Sequence, residues 1–552
     1  MRTHHRLAIF GAAALLAAFG LWHLRGVRSG APLDAAPASS QARPALPQRL
    51  DTPIVPPTGE VIPVPSGGDL QAALDKAEPG DVIELAAGAT FVGNFLLPNK
   101  PGAGWITVRS SAHDRLPPPG SRVSPADAHL MPNVVSPNAA PAVSTATRAH
   151  HFRFVGIEVT TTSPVSFGLI HLESPTQTSV QAAPSNIVVD RCYVHGTPSG
   201  ETRRGVALNG ARLAVIDSYL SDFHARSEDS QAIMSWNGPG PLKVANDYLE
   251  AAGENVMIGG WDPATSELIP SDIEIRGNEF RKPLSWRHGD STYGGIPWRV
   301  KNLLEFKDAQ RVLVDGNIFE QNWVGADQDG FAIVFTPRNQ NNTAPWSAVS
   351  DVTFTHNIIR RSTGGAYLLG WDNLHSSRQL QRILIQHNLF TDIGAFSSGL
   401  SDAGVWLLVS DGPRDAVIDH NTAIPAASPI YASTQVASRW PATGFVFTNN
   451  LTLNNQGVSG AGSPRLTLAT YFPGSLFVRN VLAGGNASDY PPDNYFPATI
   501  DLVGFVNLAG DDYRLSTRSP YKRAASDGTD LGADMDAIAG AAPAPWHTTA
   551  RP

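Results

Sequence analysis

Between Phe152 and Asn480 the apolar and polar positions follow one phrase that returns eleven times: two or three alternating apolar residues, a two-residue break, a small polar residue, then another apolar residue two positions on. The clearest copies are residues 273–280 (IEIRGNEF), 312–319 (VLVDGNIF), 352–359 (VTFTHNII) and 383–390 (ILIQHNLF). Alternation of period two predicts a strand with Ile273 and Ile275 on one face and Glu274 on the other; a bend follows, and Phe280 turns inward again. The small polar slot falls at Ile157, Cys192, Ser218, Asp247, Asn278, Asn317, Asn357, Asn388, Asn421, Asn450 and Asn480, 26 to 40 residues apart. No single copy can bury its apolar face, so the copies must stack into one continuous core, and a repeat of this length predicts a solenoid. Asn suits the bend because it tolerates a left-handed backbone and its amide can bond the same amide one coil above and below. A β-sandwich of regular hairpins would show shorter turn spacing and no fixed Asn.

The ends of the repeat are specialised. Residues 68–83 place Leu70, Ala73, Leu74 and Ala77 on one helical stripe stopped by Pro79-Gly80, which predicts an amphipathic helix covering an otherwise exposed sheet end. Residues 512–515 (DYRL) and 526–534 (SDGTDLGAD) stand at the far end. The phrase, the helix and these segments together resemble the right-handed parallel β-helix of the pectate-lyase-like superfamily, with its asparagine ladder. The resemblance covers residues 60 to 540. It implies an all-β chain, a single-stranded right-handed parallel β-helix with an N-terminal capping helix.

The domain organisation expected is a signal peptide or signal anchor over 1–28, a linker over 29–60, the β-helix over 61–540 and a disordered tail over 541–552. Arg2, His4, His5 and Arg6 precede an apolar run from Leu7 to Trp22, the pattern of an export signal. The Pro, Ala and Ser of the linker predict a flexible tether. A secreted or periplasmic domain follows, touching membrane only through its N-terminal segment. With 552 residues the chain is long enough for several domains, yet the unbroken repeat argues for one. The net charge of −8 excludes a generally nucleic-acid-binding protein. The single cysteine, Cys192, cannot form an internal disulfide and occupies a ladder slot. A monomer is expected.

Solenoids of this kind work on their sides, where loops build walls around a groove, so loop length should locate the site. The two longest repeats run from Asn278 to Asn317 and from Asn317 to Asn357. The first carries Trp286, Arg287, His288, Tyr293, Trp298, Arg299 and Lys301; the second carries Trp323, Asn339 and Gln340, and all ten are candidate substrate-binding residues. Nine of the twelve tryptophans lie between Trp236 and Trp440, which suits stacking on sugar rings, although a tryptophan also fills loop cores. From Arg281 to Arg311 seven Lys or Arg face three acids, which points to an anionic ligand. An anionic polysaccharide containing uronic acid fits charge and aromatics together.

Eliminating a glycosidic linkage beside a uronate requires a neutralised carboxylate, a base for the C5 proton and an acid for the leaving oxygen. In residues 303–307 (LLEFK) alternation buries Leu304 and Phe306 and sends Glu305 and Lys307 outward. Lys307 then stands on rigid strand, and Arg338 follows one coil later. The pair resembles the lysine base and arginine acid of the chondroitinase-B and alginate-lyase branch of the superfamily. That resemblance also implies calcium held by acids just upstream of the lysine. Here only Glu305 is near and Asn302 replaces an acid, so Glu254 and Asn255 on an earlier coil, with Asp327 and Asp329, are the candidate metal ligands. Two other functions remain open at this point. A hydrolase would use Asp327 and Asp329 with Glu305 or Asp290, and a non-catalytic glycan-binding surface protein would use the solenoid face alone.

Overall fold

The computed structural model describes residues 42–543 apart from 175, 327, 397–402 and 435–440. The leader expected over 1–28, the first part of the tether, residues 544–552 of the expected tail and the candidate ligand Asp327 lie outside the described residues. Each full coil contributes three strands: Ala309–Asp315, Ile318–Asn322 and Phe331–Phe335 make one such coil. Successive coils align them into parallel sheets of 14, 13 and 11 strands. The protein is thus an all-β chain wound as a right-handed parallel β-helix. In-register stacking sets Ile273, Val312, Val352 and Ile383 in one column. Their side chains enter a single core that runs the length of the stack, with ring on ring where Phe306 meets Phe335 at 5.0 Å.

The small polar slots form a ladder of hydrogen bonds. The Asn278 amide nitrogen of the backbone donates to Asn317 Oδ1, and Asn317 donates likewise to Asn357 Oδ1, each at 2.9 Å. The chain of bonds continues through Asn388, Asn421, Asn450 and Asn480 to Asn494, a rung without the phrase around it. The bend itself differs from expectation in one respect. The left-handed residue is the one before each slot, as at Gly277, Gly316, His356 and His387, and not the Asn. Asn is required for its amide, which bridges coils while the preceding residue takes the turn. Where Asp247 replaces Asn, burial pushes its carboxyl well above the usual carboxylate range, since a neutral acid is what a ladder of amides accommodates. Cys192 donates its backbone N–H to Ser218, and burial pushes its thiol up to about 12, so it is a packing residue. Replacing Asn317 by Ala orphans the Asn278 donors and the Ile275 carbonyl; a loss of about 3 kcal/mol is expected, read as a lower urea midpoint at unchanged slope.

Leu70–Lys76 is the capping helix, started by Asp69, whose side chain accepts from Ala72 N, and it buries Leu70, Ala73 and Leu74 as predicted. The tether ends sooner than its composition suggests. From residue 42 the chain lies along the outside of the 14-stranded sheet: Ala45 N bonds Asp351, Gln48 N bonds Asp272, Lys243 bonds the Leu50 carbonyl, and Arg153 bonds the Pro53 carbonyl. Leu50 packs on Val188, Ala214 and Ile216. A segment with no core of its own is ordered because successive coils offer it a row of outward polar side chains. At the other end Met535–Ala541 folds back beside the 13-stranded sheet, where Met535 and Ile538 pack on Ile318, Ile358 and Leu389. Among the described residues no helix is long and apolar enough to cross a membrane.

Candidate functional site

The outward positions of the 11-stranded sheet make a column of His171, Ala207, Met234, Met257, Glu305, Val334 and Tyr367, coil by coil. Leu303 and Leu304 both enter the core where the chain rounds a corner; from there Phe306 points in, and Glu305 and Lys307 point out. Glu305 Oε2 accepts from the Asn302 amide at 3.0 Å, and Lys307 Nζ stands 3.5 Å from its Oε1.

Beside Glu305 a charge cluster joins neighbouring coils. Lys301 Nζ lies 2.9 Å from Asp229 Oδ2 and 3.1 Å from Glu254 Oε1. The other Asp229 oxygen pairs with Arg299 Nε at 2.8 Å, and Glu254 Oε2 accepts from the Gln231 amide at 2.7 Å. Burial opposes the Lys301 charge, but Glu254, Glu305 and Asp229 outweigh it and hold the ammonium above the ordinary lysine range. Burial raises Glu254 despite Lys301. Asp229 is also penalised by burial, yet Lys301 and Arg299 bring it down to about 2. Beneath the cluster the buried Lys282 Nζ donates to the carbonyls of Ala251, Ala252 and Gly253 and to Asn255 Oδ1, all within 3.0 Å. Burial draws its pKa to about 7. Lys282 clamps the turn that presents Glu254.

Several predicted residues take other places. Trp286, Trp298 and Trp323 are 8%, 8% and 6% exposed and form a satellite core with Ala252 and Val300. They stiffen the long loops from within, and with Arg287, His288 and Tyr293 they also line a cleft of about 470 Å³. Arg287 lies over Phe396, and His288 meets Tyr293 edge to face, beside that core. Asn339 is fully buried, its amide bonded to Ser376 O and its carbonyl to Ala344 N, so it holds a loop and is not available to substrate. Arg338 donates its backbone N–H to Lys307 O, as adjacent coils require, while its guanidinium reaches Asp372 and Asn373 on the following coil. The basic excess read from 281–311 is spread around the circumference: Lys282 enters the interior, and Arg311 pairs with Asp272 on the 14-stranded side. Residues ten apart in a solenoid occupy different faces. Only about one full turn returns a side chain to the same face.

A cleft of about 650 Å³ opens on the N-terminal side of the cluster. Arg299 and Gln340 line it as predicted; Phe167, Arg203, Arg204, Asp229, Trp236 and Trp261 line it unpredicted. The emphasis on long loops missed them. Long loops fill themselves with their own cores, and the sheet face is left open where loops are short. The adjacent Arg203-Arg204 pair was the available signal.

The calcium implied by the resemblance does not fit these residues. Glu254 is taken by Lys301 and Gln231, and Asn255 turns inward to Lys282, Leu249 O and Arg281 O. Asp329 sits in the loop before Phe331, where it raises Tyr367 together with burial and Asp411. Among the described residues no group of three or more His, Cys, Asp or Glu converges on a metal position. An ammonium stands among the carboxylates that a cation would need.

Comparison of this fold with solved structures finds polysaccharide-active β-helices. The pectate lyase Pel9A matches over 86% of this chain and 96% of its own, at 12% identity and a TM-score of 0.35. The family 6 alginate lyase AlyGC matches over 89% of this chain and 59% of its own, at 14% identity and a TM-score of 0.48. A catalytic unit of a family 87 α-1,3-glucanase from Streptomyces thermodiastaticus matches over 75% and 66%, at 13% identity and a TM-score of 0.46. These are likenesses of fold. No family model matches the sequence, and no curated protein matches it.

Proposed function

We propose that the protein is an exported carbohydrate-active enzyme, a polysaccharide lyase that cleaves uronic-acid-containing polysaccharide by β-elimination. The observation that carries this reading is Lys307, the first residue after the strand Leu304–Phe306, beside the Lys301 and Arg299 cations and near a cleft of about 650 Å³. A uronate carboxylate would be drawn to Arg299, which lines the cleft with the buried Lys301 charge behind it, and its neutralisation acidifies the C5 proton. Lys307 takes that proton; the C5–H electrons form the C4–C5 double bond, the C4–O bond breaks, and the leaving oxygen is protonated by water, since the Arg338 guanidinium is held by Asp372 and Asn373 and an arginine does not release its proton near neutral pH. Glu305 Oε1, 3.5 Å away, sets the position of Lys307 Nζ. No divalent cation enters this scheme.

A second reading rests on one observation. Glu254 and Asp229 share Lys301 yet are driven apart, the first up and the second down to about 2, and paired carboxylates with diverging proton affinities are the pattern of an acid and a base in glycoside hydrolysis. Incubation with alginate, pectate and other uronate polysaccharides separates the two. Elimination creates an ultraviolet-absorbing unsaturated uronate along with each new reducing end, equally in calcium and in chelator. Reducing ends without absorbance would replace the lyase by the hydrolase. Neither product on any substrate would leave a glycan-binding protein.

A further inference from the structure

We propose that Arg204 is a second carboxylate-recognition site, a distal subsite that takes an acidic sugar unit on the N-terminal side of Lys307. It rests on the uronate reading above. Arg204 opens the strand Arg204–Leu208, and the register Arg204, Gln231, Glu254 sets it in line with the charge cluster, two coils before Glu254. At about 4.8 Å per strand this is about 10 Å along the stack, and the cleft joins the two, since Asp229 and Arg299 of the cluster line the same wall as Arg204.

The guanidinium feels the charges of Glu173, Glu254 and Asp229, yet one of its buried donors is left without an acceptor. It lies 4.8 Å from the Phe167 ring centre and 5.6 Å from that of Trp236. Its Nε faces Met234 Sδ at 3.0 Å, and its Nη1 is buried without a hydrogen-bond partner. Burial, reinforced by the Arg203 charge, draws its pKa down to about 10. Three carboxylates line the cleft with Arg204, and each is bonded elsewhere: Glu173 to His171 and Asn209, Glu228 to Arg203, and Asp229 to Arg299 and Lys301. A buried N–H without an acceptor costs free energy, more so on a charged group, and an incoming carboxylate on the planar fork removes that cost with two parallel bonds. A second guanidinium, Arg203, also lies over Phe167, at 4.9 Å, and pairs with Glu228. Trp261 lines the cleft with 59% of its surface exposed, and an open indole beside a carboxylate site suits the C–H face of a pyranose. A phosphate or an isolated carboxylate would use the fork alone; the flanking ring selects an acidic sugar.

The test uses full-length protein carrying Lys307→Ala to stop turnover, titrated calorimetrically with oligouronates of graded length from alginate and pectate and with neutral gluco-oligosaccharides. Affinity is expected to rise with oligouronate length in this parent. Arg204→Gln should erase that gain, binding the longest oligomer about tenfold more weakly and the shortest unchanged, as expected of one charge-assisted pair. Trp261→Ala, at an exposed position that does not threaten folding, should lose part of the same gain. Binding by the parent that both variants leave unchanged at every length overturns the subsite and leaves the uronate reading standing. A parent that binds no oligouronate, or binds neutral oligomers equally well, overturns both.

Discussion

Replacing Lys307 by Ala is expected to lower the rate of elimination by at least about a hundredfold, the lower end of what a positioned proton-transfer group contributes, with KM little changed. The separation of kcat from KM follows from the site. Arg299 remains to hold the substrate carboxylate, so ground-state binding persists, while the group that takes the proton is gone. The expected strand stops at Phe306, yet the Lys307 backbone N–H stays bonded to Ile258 O whatever the side chain, and its Nζ contacts Glu305. Thermal unfolding should therefore stay near that of the parent. Lys307→Arg keeps the charge but cannot release a proton near neutral pH, and it should be as inactive as the Ala variant. Near-normal turnover by folded Lys307→Ala would remove this residue from the reaction and turn attention to Glu254 and Asp229.

Replacing Lys301 by Ala is expected to destabilise the protein by about 3–5 kcal/mol, because removing one partner from a buried ionic group leaves the other charge uncompensated. Glu254 has no exposed surface and keeps only the Gln231 amide in that variant. Its carboxyl, already raised by burial, would rise further. A carboxyl whose folded pKa lies above its unfolded value contributes stability that is present at low pH and lost as pH climbs through the folded value. The deficit of Lys301→Ala against the parent should consequently be smaller near pH 4 than near pH 8. Calcium supplies a second readout. The parent should unfold at the same temperature in calcium and in chelator, whereas Lys301→Ala frees Glu254 and Asp229 for a cation and should be stabilised by calcium in proportion to its concentration. Calcium stabilising the parent and not the variant would show that Lys301 does not replace the metal.

Much of the architecture was legible along the chain. The alternation around Ile273 and Ile275 and the recurring Asn dictate stacked coils, because a half-buried strand with a fixed turn has no other way to bury its apolar face. Lys307 and Glu305 were likewise readable, since period two sends both outward whenever Leu304 and Phe306 go in. The turn conformation was assigned one residue late, to the Asn and not its predecessor, because pattern marks where a bend falls but not which residue takes the positive φ. The tryptophans turned out to have two roles, packing on one another and lining a cleft. Trp286, Trp298 and Trp323 are clustered in sequence because they pack on one another, and composition cannot distinguish a ring that faces a groove from one that faces its neighbour.

The sequence by itself therefore determined the coil, its inward and outward positions, the capping helix at Leu70 and the outward direction of Lys307, all of which follow from local period and turn chemistry. Tertiary structure alone decided which charges meet. Asp229, Glu254, Lys301 and Glu305 span 77 positions and converge because parallel stacking places side chains of successive coils one strand spacing apart, about 4.8 Å, with a register set by loops of unequal length. It also decided that Lys282, just after the strand Glu279–Arg281, goes inward while Lys301, just before Leu304–Phe306, sits among carboxylates, since both lie in the long irregular connection between those strands, where no periodicity sets the direction of a side chain.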